Sequence, residues 1–145
     1  MSNILVKDNI KHRFNNKILD WQENSNKRVF FTVNKGDIFE VVKYLFKELG
    51  LRFSTASGMD TAAGFEIIYH FSDDKIGYIY SVRIVIEDKK NPEVESVTPI
   101  FNGAEWIERE MWELLGINFK GHPNLTRLLL SDDWPQGNYP LRKGK

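Results

Sequence analysis

The run Tyr78-Ile79-Tyr80-Ser81-Val82-Arg83-Ile84-Val85-Ile86 constrains the fold of this chain more than any other stretch. Nearly every position is β-branched or aromatic, which is how a central strand reads, with neighbours on both sides and cover above it. Further strands must therefore flank it, and helices must cover the sheet they form. Arg28-Val29-Phe30-Phe31-Thr32-Val33 reads as one flanking strand, and residues 51–55 and 65–71 read as two more. Gly58, Gly64 and Asp73-Asp74 with Gly77 mark the turns between them.

Two amphipathic helices supply the cover. Ile38, Val41, Val42, Leu45, Phe46 and Leu49 recur at helical spacing, with Asp37 as the N-cap and Gly50 as the stop. Asn102 and Glu105 have the spacing of a capping box. The helix they open is expected to end at Gly116 and to lay Ile107, Met111, Leu114 and Leu115 along one face. Residues 1–27 are polar and asparagine-rich, and read either as a loose arm or as a helix over residues 10–21. The expected fold is α+β in two layers: an about four-stranded mixed sheet with helices packed on it and an extended C-terminal tail.

The domain boundary is placed at Gly116, giving a core of residues 1–116 and a tail of residues 117–145. The tail holds three of the five prolines (Pro123, Pro135 and Pro140) together with Trp134, Tyr139 and Leu128-Leu129-Leu130. It is too apolar for solvated disorder and too broken by proline for one helix, so it is expected to fold onto its own domain or onto another protein. Its balance of basic over acidic residues is +3 in a chain whose formal charge is +0. Such neutrality leaves no field to recruit nucleic acid. Aromatic and arginine residues interleaved in a tail suit a protein interface better. No cysteine is present, so the chain brings no thiolate nucleophile and no cysteine-ligated metal or iron–sulfur site. Its longest apolar runs fall far short of the ~20 residues that cross a bilayer. A soluble cytoplasmic chain is expected, with any membrane role exercised through a partner.

The stretch from Glu108 to Pro123 carries the most specific pattern. Glu108-Arg109-Glu110 places three charges on diverging helix faces, followed by Glu113, the glycine stop at Gly116, and Gly121-His122-Pro123. A plain reading makes these charges a solvated helix face. A sharper one turns a charge inward to lock a loop or a partner, since buried charges persist only when paired. Metal or acid–base chemistry on Glu108, Glu110 and His122 is the alternative, but no histidine pair has ligand spacing. A histidine ahead of proline more often orders a turn through its ring nitrogens.

This pattern resembles the signature of the 30 kDa subunit of the proton-pumping NADH:quinone oxidoreductases, respiratory complex I, and of related subunits in energy-converting membrane-bound hydrogenases. The matching residues are Glu108-Arg109-Glu110, Glu113, Leu114-Leu115, Gly116-Ile117, Phe119, Gly121-His122-Pro123, Leu125 and Arg127. Thr126 and Glu113 depart from commoner family choices. Downstream, Asp133-Trp134-Pro135 and Tyr139-Pro140-Leu141-Arg142-Lys143 resemble the closing segment of the family. The resemblance implies a non-catalytic peripheral-arm subunit without a cofactor. It would pack against the large catalytic subunit (quinone-site or nickel–iron type) and iron–sulfur subunits, at the cytoplasmic face of the membrane. In that setting Glu108, Glu110 and His122 would order the corner from which the tail departs. Arg127 and Arg142 would pair with acids of the partner, and an isolated chain would be open to homodimerisation. On that expectation, Arg142→Ala weakens assembly and leaves the melting temperature nearly unchanged.

Overall fold

The computed structural model describes residues 6–25, 27–126, 135, 137 and 139–142. A short helix α1 (Val6–Arg13) precedes strand β1 (Ile18–Ser25) and strand β2 (Arg28–Val33). Helix α2 (Ile38–Lys43) continues through a wider turn at Tyr44–Glu48. Strands β3 (Arg52–Thr61), β4 (Gly64–Asp73) and β5 (Tyr78–Ile86) follow. A short strand β6 (Glu93–Glu95), the helix α3 (Ala104–Leu115) and a short strand β7 (Asn118–Lys120) complete the described elements.

The five long strands form one mixed sheet in the order β1-β2-β5-β4-β3, with β2 and β5 parallel and every other pair antiparallel. The β-branched and aromatic run of residues 78–86 is β5, the central strand. Alternation sends Tyr80, Val82, Ile84 and Ile86 into the core with Phe65, Ile67, Tyr69 and Phe71 of β4 and Val29, Phe31 and Val33 of β2. Ile38, Val41, Val42 and Leu45 of α2 and the turn after it meet them, all fully buried. Burial of each such side chain contributes about 2 kcal/mol before chain entropy is charged against it.

Three expectations are corrected. The helix over residues 10–21 is two elements. Ile10 and Phe14 bury themselves completely, the chain turns on the Phe14 carbonyl (Ile18 N–H donates at 3.0 Å), and β1 begins. Trp21 then stacks on Phe31 of β2 with ring centroids 5.2 Å apart, which makes a fifth strand out of a segment with little β-propensity. Gly58 is no turn residue: β3 runs ten residues through it, and its lack of a side chain lets Met111 and Leu115 of α3 come in close, a Cβ there lying 2.8 Å from Met111 Sδ. The capping box at Asn102 does not form. Gly103 holds the cap position without a side-chain bond, and the first turn closes through backbone, Glu105 N–H donating to the Asn102 carbonyl at 3.0 Å. Asp37 does sit at the start of α2, also without a side-chain bond.

The core does not stop at Gly116. Ile117 and Phe119 are buried, and β7 pairs in parallel with β6, so the expected division at that glycine falls inside the packing.

Candidate functional site

The buried stripe of α3 is Ala104, Glu108, Met111 and Leu115, so an acid occupies a core position at helical spacing. Ile107 and Leu114, expected on that face, are only half-buried. Glu108 is 1% exposed. Its Oε1 accepts from Ser96 Oγ at 2.6 Å and its Oε2 from the Val97 N–H at 2.9 Å. Ser96 Oγ also accepts from the Thr98 N–H (3.1 Å) and lies 2.8 Å from Thr98 Oγ1. Glu108 thereby staples the connector between β6 and α3 to the middle of the helix.

Burial pushes the Glu108 carboxyl up to about 7, against the opposing pull of the Ser96 and Val97 donors. Tyr69 of β4 feels the same site. Burial first, and then the charge of Glu108, raise its phenol well above the ordinary value. Its hydroxyl has no hydrogen-bond partner among the described residues.

The other signature residues diverge from Glu108, as neighbours on a helix must. Arg109 donates from Nε and Nη2 to the carbonyl and hydroxyl oxygens of Thr126 (3.3 and 3.2 Å). Glu110 faces an open groove of about 210 Å³ between α3 and β3, beside Gly58, Leu114 and Leu141. Glu113 is buried at 3% exposure. His122 sits in the corner made by Gly121 (φ +85), with its own N–H on the Phe119 carbonyl. Nδ1 of His122 accepts from the Asn124 N–H at 2.9 Å, which places the proton of a neutral ring on Nε2, donating to the Glu105 carbonyl at 3.0 Å. Exposed Pro123 lies between those two turn residues.

Gly116 ends α3 in the left-handed conformation (φ 83), its N–H on the Trp112 carbonyl. Space matters there as much as conformation. A Cβ would fall 2.6 Å from both Arg142 Nη2 and the Tyr139 ring. Arg142 donates from Nε to the Leu115 carbonyl at 2.7 Å and lays its guanidinium over Phe65 (5.0 Å) and Tyr139 (4.6 Å). The Leu141 N–H donates to the Leu114 carbonyl at 3.0 Å. A cation and two donors thus close the negative end of the helix.

Arg142, expected to reach for a partner's acid, instead binds its own chain. Arg142→Ala should accordingly lower stability by about 1–2 kcal/mol, read as a lower melting temperature of the isolated chain. An unchanged melting temperature would return Arg142 to the role of a free docking group. Arg127 and Trp134, also expected to be interface residues, lie outside the described residues.

The alternative metal-enzyme reading finds no assembly. Glu108 faces inward, Glu110 outward, and both His122 nitrogens engage backbone. Among the described residues no three His, Cys, Asp or Glu side chains gather as a metal group. Ser96 and Thr98, which complete the network around Glu108, are residues that sequence reasoning does not single out. The available signal is Ser96-Val97-Thr98 ahead of Pro99, polar residues inside a connector whose Val97 and Ile100 are buried.

The fold and this signature define an α+β structural module whose charged helix is bound into its own architecture. The chain belongs to the family described as the respiratory-chain NADH dehydrogenase 30 kDa subunit, which it matches over residues 31–145. An NADH-quinone oxidoreductase subunit of this kind from Citrifermentans bemidjiense is 36% identical over 138 residues, covering 92% of this chain and 83% of that protein. Its counterpart from Chloroherpeton thalassium is 34% identical over 140 residues, of which this chain spans only 57% of the length. Among solved structures, a chain of the membrane-bound sulfane sulfur reductase, an archaeal respiratory membrane complex, superposes with a TM-score of 0.81 over 95% of this chain and 82% of that one, at 22% identity. The trypsin-resistant fragment of Nqo5 gives 0.65 over 83% of this chain and 96% of its own, at 21% identity. At such identities these two likenesses concern the fold. No helix among the described residues is long and apolar enough to cross a membrane.

Proposed function

We propose that this chain is a non-catalytic subunit of the peripheral arm of a membrane-associated respiratory redox complex. Its family membership over residues 31–145 is the observation that carries this reading. Relatives of 36% and 34% identity are named as subunits of NADH-quinone oxidoreductases, which supports an electron-transport assembly. The geometry is compatible with a scaffold. Glu108, His122 and Arg142 brace α3 and the corner after it, and so hold a rigid surface for neighbours. In this reading the partners are the large catalytic subunit and its iron–sulfur neighbours, at the cytoplasmic face of the membrane.

Affinity purification of the tagged chain from its own cells, followed by mass spectrometry, tests the proposal. A large quinone-site or nickel–iron subunit together with iron–sulfur subunits should be recovered in stoichiometric amounts. A chain that arrives alone overturns the reading.

A further inference from the structure

The helices cover one face of the five-stranded sheet, and the register defines what the other face presents. Asp20 pairs with Thr32, Thr32 with Arg83 and Arg83 with Ile68, a row that crosses four strands. Val85 and Glu66 form the next row, and Phe30, Ser81 and His70 flank on the other side. Phe30, Ile68, Ile79 and Val85 are only half-buried on this face. At the end where the parallel strands β2 and β5 terminate, the face dips into an open groove of about 360 Å³. Leu19, Ala63 and Val85 supply its apolar walls, and Thr32 and Arg83 lie in it.

Charge distinguishes this groove from the rest of the face. Arg83 donates to both oxygens of Glu66 (2.9 and 2.8 Å), which neutralises that pair. Asp20 and Glu87, both exposed, also line the groove and leave it net negative. Asp20 accepts from Gln22 and lies within reach of the opposite charge of Arg83, whereas Glu87 has no ion-pair partner among the described residues. Leu19 stands at the rim with 61% exposure, a large apolar side chain with nothing over it among the described residues. Aliphatic walls beneath two carboxylates suit a lysine or arginine, whose stem lies along apolar surface while its head meets the acids. The groove opens onto a broad half-apolar face, so the arrangement suits a protein surface that covers both together better than an enclosed small molecule.

We propose that this groove and the adjoining sheet face dock a neighbouring subunit through a basic side chain flanked by apolar residues. The inference rests on the complex membership proposed above and assigns the surface that meets the partner. A photo-crosslinking residue introduced at exposed Ala63, with a control at exposed Ile76 in the turn between β4 and β5, tests it in the complex purified from its own cells. Ala63 should crosslink to another subunit through a peptide containing Lys or Arg, and the control should not join that peptide. The double change Asp20→Lys and Glu87→Lys should cut the crosslink about tenfold or more by placing like charges together, with the melting temperature of the isolated chain held. Purification of the complex without a crosslink at Ala63, a crosslink only to a second copy of this chain, or a yield indifferent to the charge reversal overturns the groove assignment alone. A tagged chain that recovers no other subunit overturns complex membership, and this proposal with it.

Discussion

Glu108→Ala is expected to destabilise the chain by about 3–5 kcal/mol, because it removes the partner of two buried donors and leaves a cavity between α3 and the sheet. Glu108→Gln should do the opposite at alkaline pH. An amide can accept from the Val97 N–H and donate to Ser96 Oγ, so the staple survives without a charge to bury. The carboxyl holds its proton to about 7 in the fold, against an ordinary 4.5 in the unfolded chain. Between those values the native state binds more protons than the unfolded one, so stability contributed by the protonated group falls as pH rises from 4.5 and is lost above 7. The whole effect is roughly 3 kcal/mol. Glu66 and Asp74 work in the other direction. Arg83 and Arg52 hold their carboxyls below the usual range, so their contributions are lost as pH falls. Urea unfolding of wild type and Glu108→Gln, followed from acid to mildly alkaline pH, isolates the contribution of Glu108. A difference that widens in favour of the glutamine protein as pH rises supports the buried acid. A flat difference, or a glutamine protein that weakens with rising pH, removes it.

Gly64→Ala is expected to cost about 3 kcal/mol or more. Gly64 opens β4 directly after the two-residue turn at Ala62 and Ala63, with φ at +146, a region that side chains rarely enter. A Cβ there would overlap the Ile86 carbonyl oxygen and sit 2.9 Å from its carbon, both of them backbone of the neighbouring β5. Neither can swing aside as a side chain would. The strain would fall where Thr61 Oγ1 donates to the Gly64 carbonyl and where Phe65 pairs with Ile86, at the β3–β4 end of the sheet. Gly36→Ala is the control: it has nothing within 4 Å and no positive φ, and should change stability by less than about 0.5 kcal/mol. Denaturant midpoints of the two variants decide the matter. If Gly64→Ala unfolds within about 0.5 kcal/mol of wild type, the close approach of β4 to β5 is not as described.

Most of the sheet and both principal helices are legible in the residues, and so is the glycine stop at Gly116. Those features are local. A strand such as β5 or a stripe such as Ile38-Val41-Val42-Leu45 is written as a period in hydrophobicity, which chain geometry alone converts into a face. The family signature is legible for a related reason, since Glu108-Arg109-Glu110 and Gly121-His122-Pro123 stand at fixed spacing whatever surrounds them. What the spacing could not say is which charge of the triplet turns inward. Glu108 does so because Ser96 and Val97, on a connector without periodicity, arrive opposite it with two donors. The same holds for β1, whose polar sequence becomes a strand because β2 offers an edge and Phe31 a ring for Trp21. Arg142 closes its own helix because Gly116 leaves room for it and Phe65 lies beneath. By itself the sequence determined the α+β class, the central strand and the family. Only the tertiary structure decided which charges are buried and which residues brace the corner, because those depend on groups distant in the chain meeting within hydrogen-bond reach.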